Sequence, residues 1–222
     1  MRKILRALTI TLFFSMLVSC SSFTFGDFTK SLFGEKLTNL TPEEKRQKKL
    51  ASYNLEAKIK TNKGDINVYL YPEAAPETVA NFVYLVKNDF YDNLPFHRVV
   101  NNLLIQSGDN IGDSTGGTGY TIKDEYVHWL TFDNPGILAM ANTGLENSGS
   151  SQFFITLNAY PNFNNNYTVF GTLININDLN VAKTIRMGDT ILDIEISGKN
   201  VNDFLNNFKE EVEKWDEVLK SK

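Results

Sequence analysis

Cysteine occurs once in these 222 residues, at Cys20, which excludes an intramolecular disulfide and any multi-cysteine metal site. Histidine occurs twice, and only His97 sits in a patterned stretch. His-Glu-x-x-His and Gly-x-Ser-x-Gly are both absent, and no acid close in sequence to His97 completes a triad. Hydrolysis and metal catalysis are therefore disfavoured, and neither a metal nor a cofactor is expected. The glycine-rich stretch 108–119 lacks the Gly-x-x-x-x-Gly-Lys-Ser/Thr pattern, and no basic residue follows until Lys123, which argues against a nucleotide site. The apolar run at residues 8–18 is too short to span a bilayer comfortably.

That short run has another use. Arg2, Lys3 and Arg6 precede it, giving the basic and apolar regions of an export signal over residues 1–19. Leu17-Val18-Ser19-Cys20 closes it and resembles the lipobox of bacterial lipoproteins, which implies a lipid on Cys20. The expected location is extracytoplasmic, anchored by that lipid to a bacterial membrane, on the periplasmic face or the cell surface. Without the signal the chain has 19 basic against 26 acidic residues, a net charge of −7, and no basic stripe for phosphate contacts, so nucleic acid is not an expected partner. Residues 20–53 read as a lipidated tether. Thr41-Pro42-Glu43-Glu44 starts a short helix within it, with Thr as N-cap, Pro at the first helical position and Glu reaching back from the third.

Residues 54–198 carry the domain. Alternation over 55–60 and 66–70 around Asn62-Lys63-Gly64-Asp65 predicts a hairpin. Pro76, then Val79, Phe82, Val83 and Val86, predict a helix closed by Asn88-Asp89. Short β-branched or apolar runs at 137–141, 152–157, 168–173 and 191–196 follow, separated by Asn, Gly and Pro turns, with a second helix over 177–186. Short strands without regular strand-helix alternation predict a mainly β, closed antiparallel barrel rather than a parallel sheet. Val201, Phe204, Leu205, Phe208, Val212, Trp215, Val218 and Leu219 mark 199–222 as one amphipathic helix. Its stripe packs on the domain or, as the alternative, engages a partner or a second copy.

One stretch organises the rest. Residues 96–109, Phe-His-Arg-Val-Val-Asn-Asn-Leu-Leu-Ile-Gln-Ser-Gly-Asp, set an arginine inside a strand-like run that reverses at Asn101-Asn102. Alternation places Arg98 and Gln106 on one face of two antiparallel strands and turns His97 to the other face, as a satisfied core histidine. Lysine far outnumbers arginine in this chain, so an arginine here points to a need for a planar, permanently charged fork.

Together with Pro135-Gly136-Ile137-Leu138-Ala139-Met140-Ala141-Asn142, Ser151-Gln152-Phe153-Phe154-Ile155-Thr156 and Tyr167-Thr168-Val169-Phe170-Gly171, this stretch resembles the cyclophilin family over roughly residues 54 to 197. The resemblance implies an eight-stranded barrel with a helix over each open end. It also implies peptidyl-prolyl cis-trans isomerase activity on proline-containing polypeptides. Arg98 matches the family's catalytic arginine and Gln106 the glutamine that orients it. Leu103 and Leu104 fall where Phe and Met usually line the proline pocket, Phe154 matches its aromatic floor, and Phe163 stands at its usual Leu. Ala141, Asn142 and Thr143 match the segment whose backbone pairs with substrate. Tyr167 replaces a histidine common in eukaryotic members. Asn162 stands where a tryptophan contributes to cyclosporin binding, which implies weak inhibition. The alternative on the same fold is a catalytically weak lipoprotein that binds proline segments or docks a partner.

Overall fold

The computed structural model describes residues 40–221. The chain divides into two units, Met1–Arg46 and Gln47–Lys222. In the first, the described residues 40–46 hold the start of helix α1 (Pro42–Leu50). Thr41 caps it: the Glu44 N–H donates to Thr41 Oγ1 at 3.2 Å, and the Thr41 N–H donates back to Glu44 Oε2 at 2.8 Å. This reciprocal box satisfies two of the donors a helix start leaves open. The export signal, Cys20 and most of the tether lie outside the described residues. Among the described residues no helix is long and apolar enough to cross a membrane.

In the second unit, β1 (Glu56–Thr61) and β2 (Gly64–Leu70) form the predicted hairpin around Asn62 and Lys63. Then come α2 (Pro76–Lys87), β3 (Arg98–Val100), β4 (Leu104–Ser107), β5 (Ile137–Met140), β6 (Phe153–Thr156), β7 (Val169–Leu173), α3 (Ile176–Thr184) and β8 (Ile191–Ser197). All pairings are antiparallel, in the order β3-β4-β6-β5-β7-β2-β1-β8. The sheet is a curled half-barrel and is open, which corrects the closed barrel expected from the strand pattern. The edge strands β3 and β8 share no ladder; a single bridge, Pro95 to Thr190, joins the segments ahead of them. The Phe96 N–H donates to Asp189 O at 2.7 Å and the Ile191 N–H to Leu94 O at 2.9 Å around this bridge, and β3, three residues long, does not extend it.

Helix α2 fills the inside of the curl. Phe82 meets Phe153, Phe170 and Tyr91 at ring-centroid distances of 5.6, 5.4 and 5.3 Å, all four rings being almost wholly buried. The start of α2 has no cap of its own. Glu125 supplies one from a distant loop, accepting from the N–H groups of Glu77 (3.1 Å) and Thr78 (2.8 Å) and from Thr78 Oγ1 (2.7 Å). Burial raises the Glu125 carboxyl, against the lowering effect of those hydrogen bonds. Glu125→Ala leaves the buried Thr78 donors unpaired and is expected to cost about 2 kcal/mol. Urea unfolding is the check, as a lowered midpoint at unchanged slope. Helix α3 starts on a box of its own between Asn175 and Asp178, and Asp178 also accepts from the Asn67 N–H (2.9 Å) and Nδ2 (2.7 Å), tying α3 to β2.

The C-terminal addition is one amphipathic stripe on a broken helix: α4 (Val201–Leu205), a 3-10 turn (Asn206–Phe208) and α5 (Lys209–Leu219). The break follows from Asn207, whose Nδ2 donates to Asp203 O (2.9 Å), Phe204 O (2.7 Å) and Tyr53 Oη (3.0 Å) and so competes with helical N–H groups for those carbonyls. Phe204, Phe208 and Trp215 are buried in the domain's own core, with Val201, Leu205, Val212 and Leu219 packed against it. The stripe is thus occupied by its own domain. Leu50 and Tyr53 belong to the same core, Tyr53 lying 5.2 Å from Phe204, so the compact unit begins ahead of residue 54.

Candidate active site

Strands β4 and β6 are buried on both faces, and their two faces serve different ends. Ile105, Phe153 and Ile155 point into the main core with α2. The alternate residues Leu104 and Phe154 point the other way and join Ala139, Val169 and Phe132 in a second, smaller apolar cluster. The candidate site is built on this second cluster.

The register places Arg98 directly opposite Gln106, and Gln106 directly opposite Phe154, so the three form one row across β3, β4 and β6. A tight turn makes this possible. Asn102 adopts φ +59° and Leu103 N–H returns to Val100 O at 3.0 Å, so β4 doubles back at once beside β3. Arg98 Nη1 donates to Gln106 Oε1 at 3.0 Å, Gln106 Nε2 donates to Gln152 Oε1 at 2.8 Å, and Gln152 Nε2 donates to Ser114 O and Gly116 O at 3.2 and 3.0 Å. Gln106 is 8% exposed, whereas Arg98 is exposed and presents its remaining donors outward. The relay to Gln152 needs the chain at Gly108 to pass against Ser151. With φ +86°, a Cβ on Gly108 would lie 2.3 Å from Ser151 O, so no other residue fits.

Beside the arginine lies an aromatic well. Phe154 stands 5.1 Å from Tyr167 and 5.7 Å from Phe163, both edge to face, and Phe163 is 5.0 Å from Tyr167. Phe132 stacks behind Phe154 at 6.1 Å. A cleft of ≈ 1150 Å³ opens over the well, and its lining includes Arg98, Gln106, Leu103, Leu104, Ala141, Asn142, Thr143, Phe154, Phe163 and Tyr167. The structure therefore gathers in one cleft every catalytic and substrate-binding residue singled out above; Asn162 is not in its lining, and Cys20 lies outside the described residues. The 141–143 segment is only partly open to an incoming chain. Ala141 N–H goes to Gln152 O and Thr143 N–H to Ser148 Oγ, while the Asn142 side chain is held by Asn166 O and the Gly144 N–H. The backbone N–H of Asn142 has no partner among the described residues.

Two residues escaped the sequence reading. Gln152 sits one residue before the noted Phe153-Phe154 pair but carries no signal until its neighbour Gln106 is placed. Phe132, 1% exposed, lies in a loop of no regular period. His97 is also not the satisfied core histidine expected, since neither ring nitrogen has a hydrogen-bond partner though both are shielded from solvent. Strand alternation turns it away from Arg98. Burial lowers its pKa, as does Arg98, while Asp109, Asp113 and the nearby Gln152 amide act the other way. A folded-state pKa depressed below the ordinary 6.5 means the unfolded chain binds the proton more readily, so stability falls as pH drops through 6.5. Thermal unfolding between pH 8 and pH 5, with His97→Phe flattening the acid-side decline, is the measurement. Among the described residues no cluster of His, Cys, Asp and Glu is arranged to hold a metal ion.

With this geometry in place, the likenesses to known proteins are informative. The family model for cyclophilin-type peptidyl-prolyl cis-trans isomerases matches residues 56–201. A probable peptidyl-prolyl cis-trans isomerase A of Mycobacterium bovis is 41% identical over 144 residues, covering 58% of this chain and 79% of its own. A peptidyl-prolyl cis-trans isomerase of Helicobacter pylori is 40% identical over 141 residues, covering 64% and 86%. The crystal structure of a Cryptosporidium parvum cyclophilin-type isomerase superposes with a TM-score of 0.61 at 33% identity, over 66% of this chain and 99% of that one. The chain belongs to the cyclophilin family. It is an enzyme of the peptidyl-prolyl cis-trans isomerase class.

Proposed function

We propose that the protein accelerates X-Pro isomerisation in exported polypeptides, with Arg98 stabilising the twisted prolyl amide. The observation that carries this is the clamp of Arg98 on Gln106 at 3.0 Å beside the aromatic well of Phe154, Phe163 and Tyr167. Isomerisation breaks no covalent bond. Its barrier of about 18–20 kcal/mol is the amide resonance lost as the C–N bond twists. As conjugation fails, the prolyl nitrogen becomes pyramidal and gains a lone pair, and a donor aimed at it binds the twisted state better than either planar isomer. Arginine stays charged and offers a fork that reaches nitrogen and carbonyl oxygen together. Gln106, held by Gln152, occupies one guanidinium donor and fixes the rest toward the cleft.

The well accepts the proline ring, with Leu103 and Leu104 closing its side and Phe154 its floor. The free Asn142 N–H supplies a backbone contact that orients the chain. Shortening tens of seconds to milliseconds removes roughly 5–6 kcal/mol, at about 1.36 per decade. One charge-assisted contact supplies about half of that; the dry well and clamped backbone supply the remainder. Exchange of an Xaa-Pro peptide followed by NMR tests the reading, and saturable binding without faster exchange would move the function to proline-segment binding.

The export signal and the Leu17-Val18-Ser19-Cys20 stretch support a lipid on Cys20 and clients outside the cytoplasm. Fractionation of bacterial cells is expected to find the protein with membranes and a Cys20→Ser form released from them. Equal partition of both forms would refute the anchor.

A further inference from the structure

Helix α5 lies wholly beyond the segment that matches the family model, yet it packs on a residue of the cleft wall. Trp215, 4% exposed, stacks on Tyr120 with ring centroids 5.7 Å apart and planes 14° from parallel. Tyr120 is itself a cleft residue. Trp215 also meets Tyr84 at 5.4 Å, and Tyr84 Oη donates to Asp216 Oδ1 at 2.6 Å, pinning this part of α5 to α2.

From Tyr120 the contacts run into the polar wall of the cleft. Its hydroxyl donates to Asn81 Oδ1 at 2.8 Å, and Asn81 Nδ2 donates to Ser150 O at 2.7 Å. Thr118 Oγ1 bonds both Tyr120 O (3.0 Å) and Ser150 Oγ (2.8 Å). The wall between Ser114 and Gly119 is otherwise Ser, Thr and Gly, with little side chain of its own to pack and much backbone freedom. A ring stacked on a buried tryptophan is a fixed point for such a loop.

We propose that α5 belongs to the substrate-binding apparatus: Trp215 is a positioning residue that holds Tyr120, and through it the polar wall that grips residues flanking the proline. This rests on the isomerase reading and extends it to a segment outside the matched domain. The apolar well, built from Leu103, Leu104, Phe154, Phe163 and Tyr167, belongs to the smaller cluster, whereas Trp215 belongs to the main core and Tyr120 packs against it. A substrate short enough to use only the well is therefore indifferent to α5, and a longer one is not.

The experiment compares a blocked Ala-Pro dipeptide with an octapeptide carrying Ala-Pro at its centre, using the full-length chain and NMR exchange. Trp215→Ala is expected to raise KM for the octapeptide about tenfold with kcat retained, and to leave kcat/KM for the dipeptide within about twofold. Trp215→Phe keeps a ring against Tyr120 and restores the octapeptide KM. Equal losses on both probes would show a merely structural role and overturn the proposal, as would no change on either. Should Trp215→Ala fail to fold, Tyr84→Phe, which removes only the Asp216 hydrogen bond, is expected to give the same selective KM rise at smaller size, judged by the same outcomes. Inactivity of the unmodified chain on both probes would overturn the isomerase reading and this one with it, and is distinct because no substitution is involved.

Discussion

Arg98→Ala is expected to lower kcat/KM for X-Pro exchange by about 100- to 1000-fold, the usual loss when one preorganised donor to a transition state is removed. The folded state is expected to survive. Arg98 is exposed, and its side chain is tied to the fold by the 3.0 Å hydrogen bond to Gln106, whose other end remains on Gln152. The loss should fall on kcat, because the arginine's contact forms with the pyramidal nitrogen and not with either planar isomer. Arg98→Lys separates charge from geometry. A lysine keeps the charge but has no fork to bond Gln106 and substrate together, so it is expected to recover only a minor part of the rate. NMR exchange on one peptide, with unfolding curves for the three forms, is the measurement. A full rate in Arg98→Ala would leave the aromatic well as the whole catalyst and refute the arginine mechanism.

That the arginine was legible in the sequence, while its support was not, has a physical cause. Residues 98–107 read correctly because a two-residue period survives any tertiary context, and Arg98 and Gln106 stay paired once the turn at Asn101-Asn102 is fixed. The short runs at 137–141, 152–157, 168–173 and 191–196 became strands for the same reason, within a residue or two. Closure of the barrel was not legible, since it depends on whether β3 and β8 find each other in three dimensions, where one bridge joins the segments ahead of them and no ladder follows. Helix 199–222 was legible as a stripe but not as a broken one, because the Asn207 side chain that takes the Asp203 and Phe204 carbonyls also bonds Tyr53, 154 positions away. Glu125 likewise caps α2 across 47 positions. Local period carries the elements and the row of the site; single polar side chains acting at long range carry the breaks, caps and relays.

Phe132 is the apolar counterpart of those long-range residues, and its removal is expected to have the largest effect on stability of the substitutions considered. It is 1% exposed, stacked on Phe154 at 6.1 Å and set edge to face against Phe163 at 5.6 Å. Its backbone also binds two segments together: the Phe132 N–H donates to Asn164 Oδ1 at 2.8 Å, and Phe132 O accepts from the Tyr160 N–H at 2.7 Å. Phe132→Ala keeps those backbone bonds but opens a cavity behind the floor of the well, at a cost of about 3–5 kcal/mol. For a chain of this size the melting temperature should fall by roughly 10 °C. The small cluster has few buried members, Leu104, Ala139, Phe154 and Val169 besides Phe132 itself, so neighbours cannot collapse far enough to fill the gap. Phe154 and Phe163 then lose their backing, and KM for proline peptides should rise while the Arg98–Gln106 clamp, anchored on β3 and β4, stays formed. Calorimetry beside peptide titration separates this from Arg98→Ala, which is expected to change kcat with little change in melting. Phe132→Leu, which refills most of the volume, is expected to recover most of both losses. A melting temperature unmoved by Phe132→Ala would mean that the well is not held from behind.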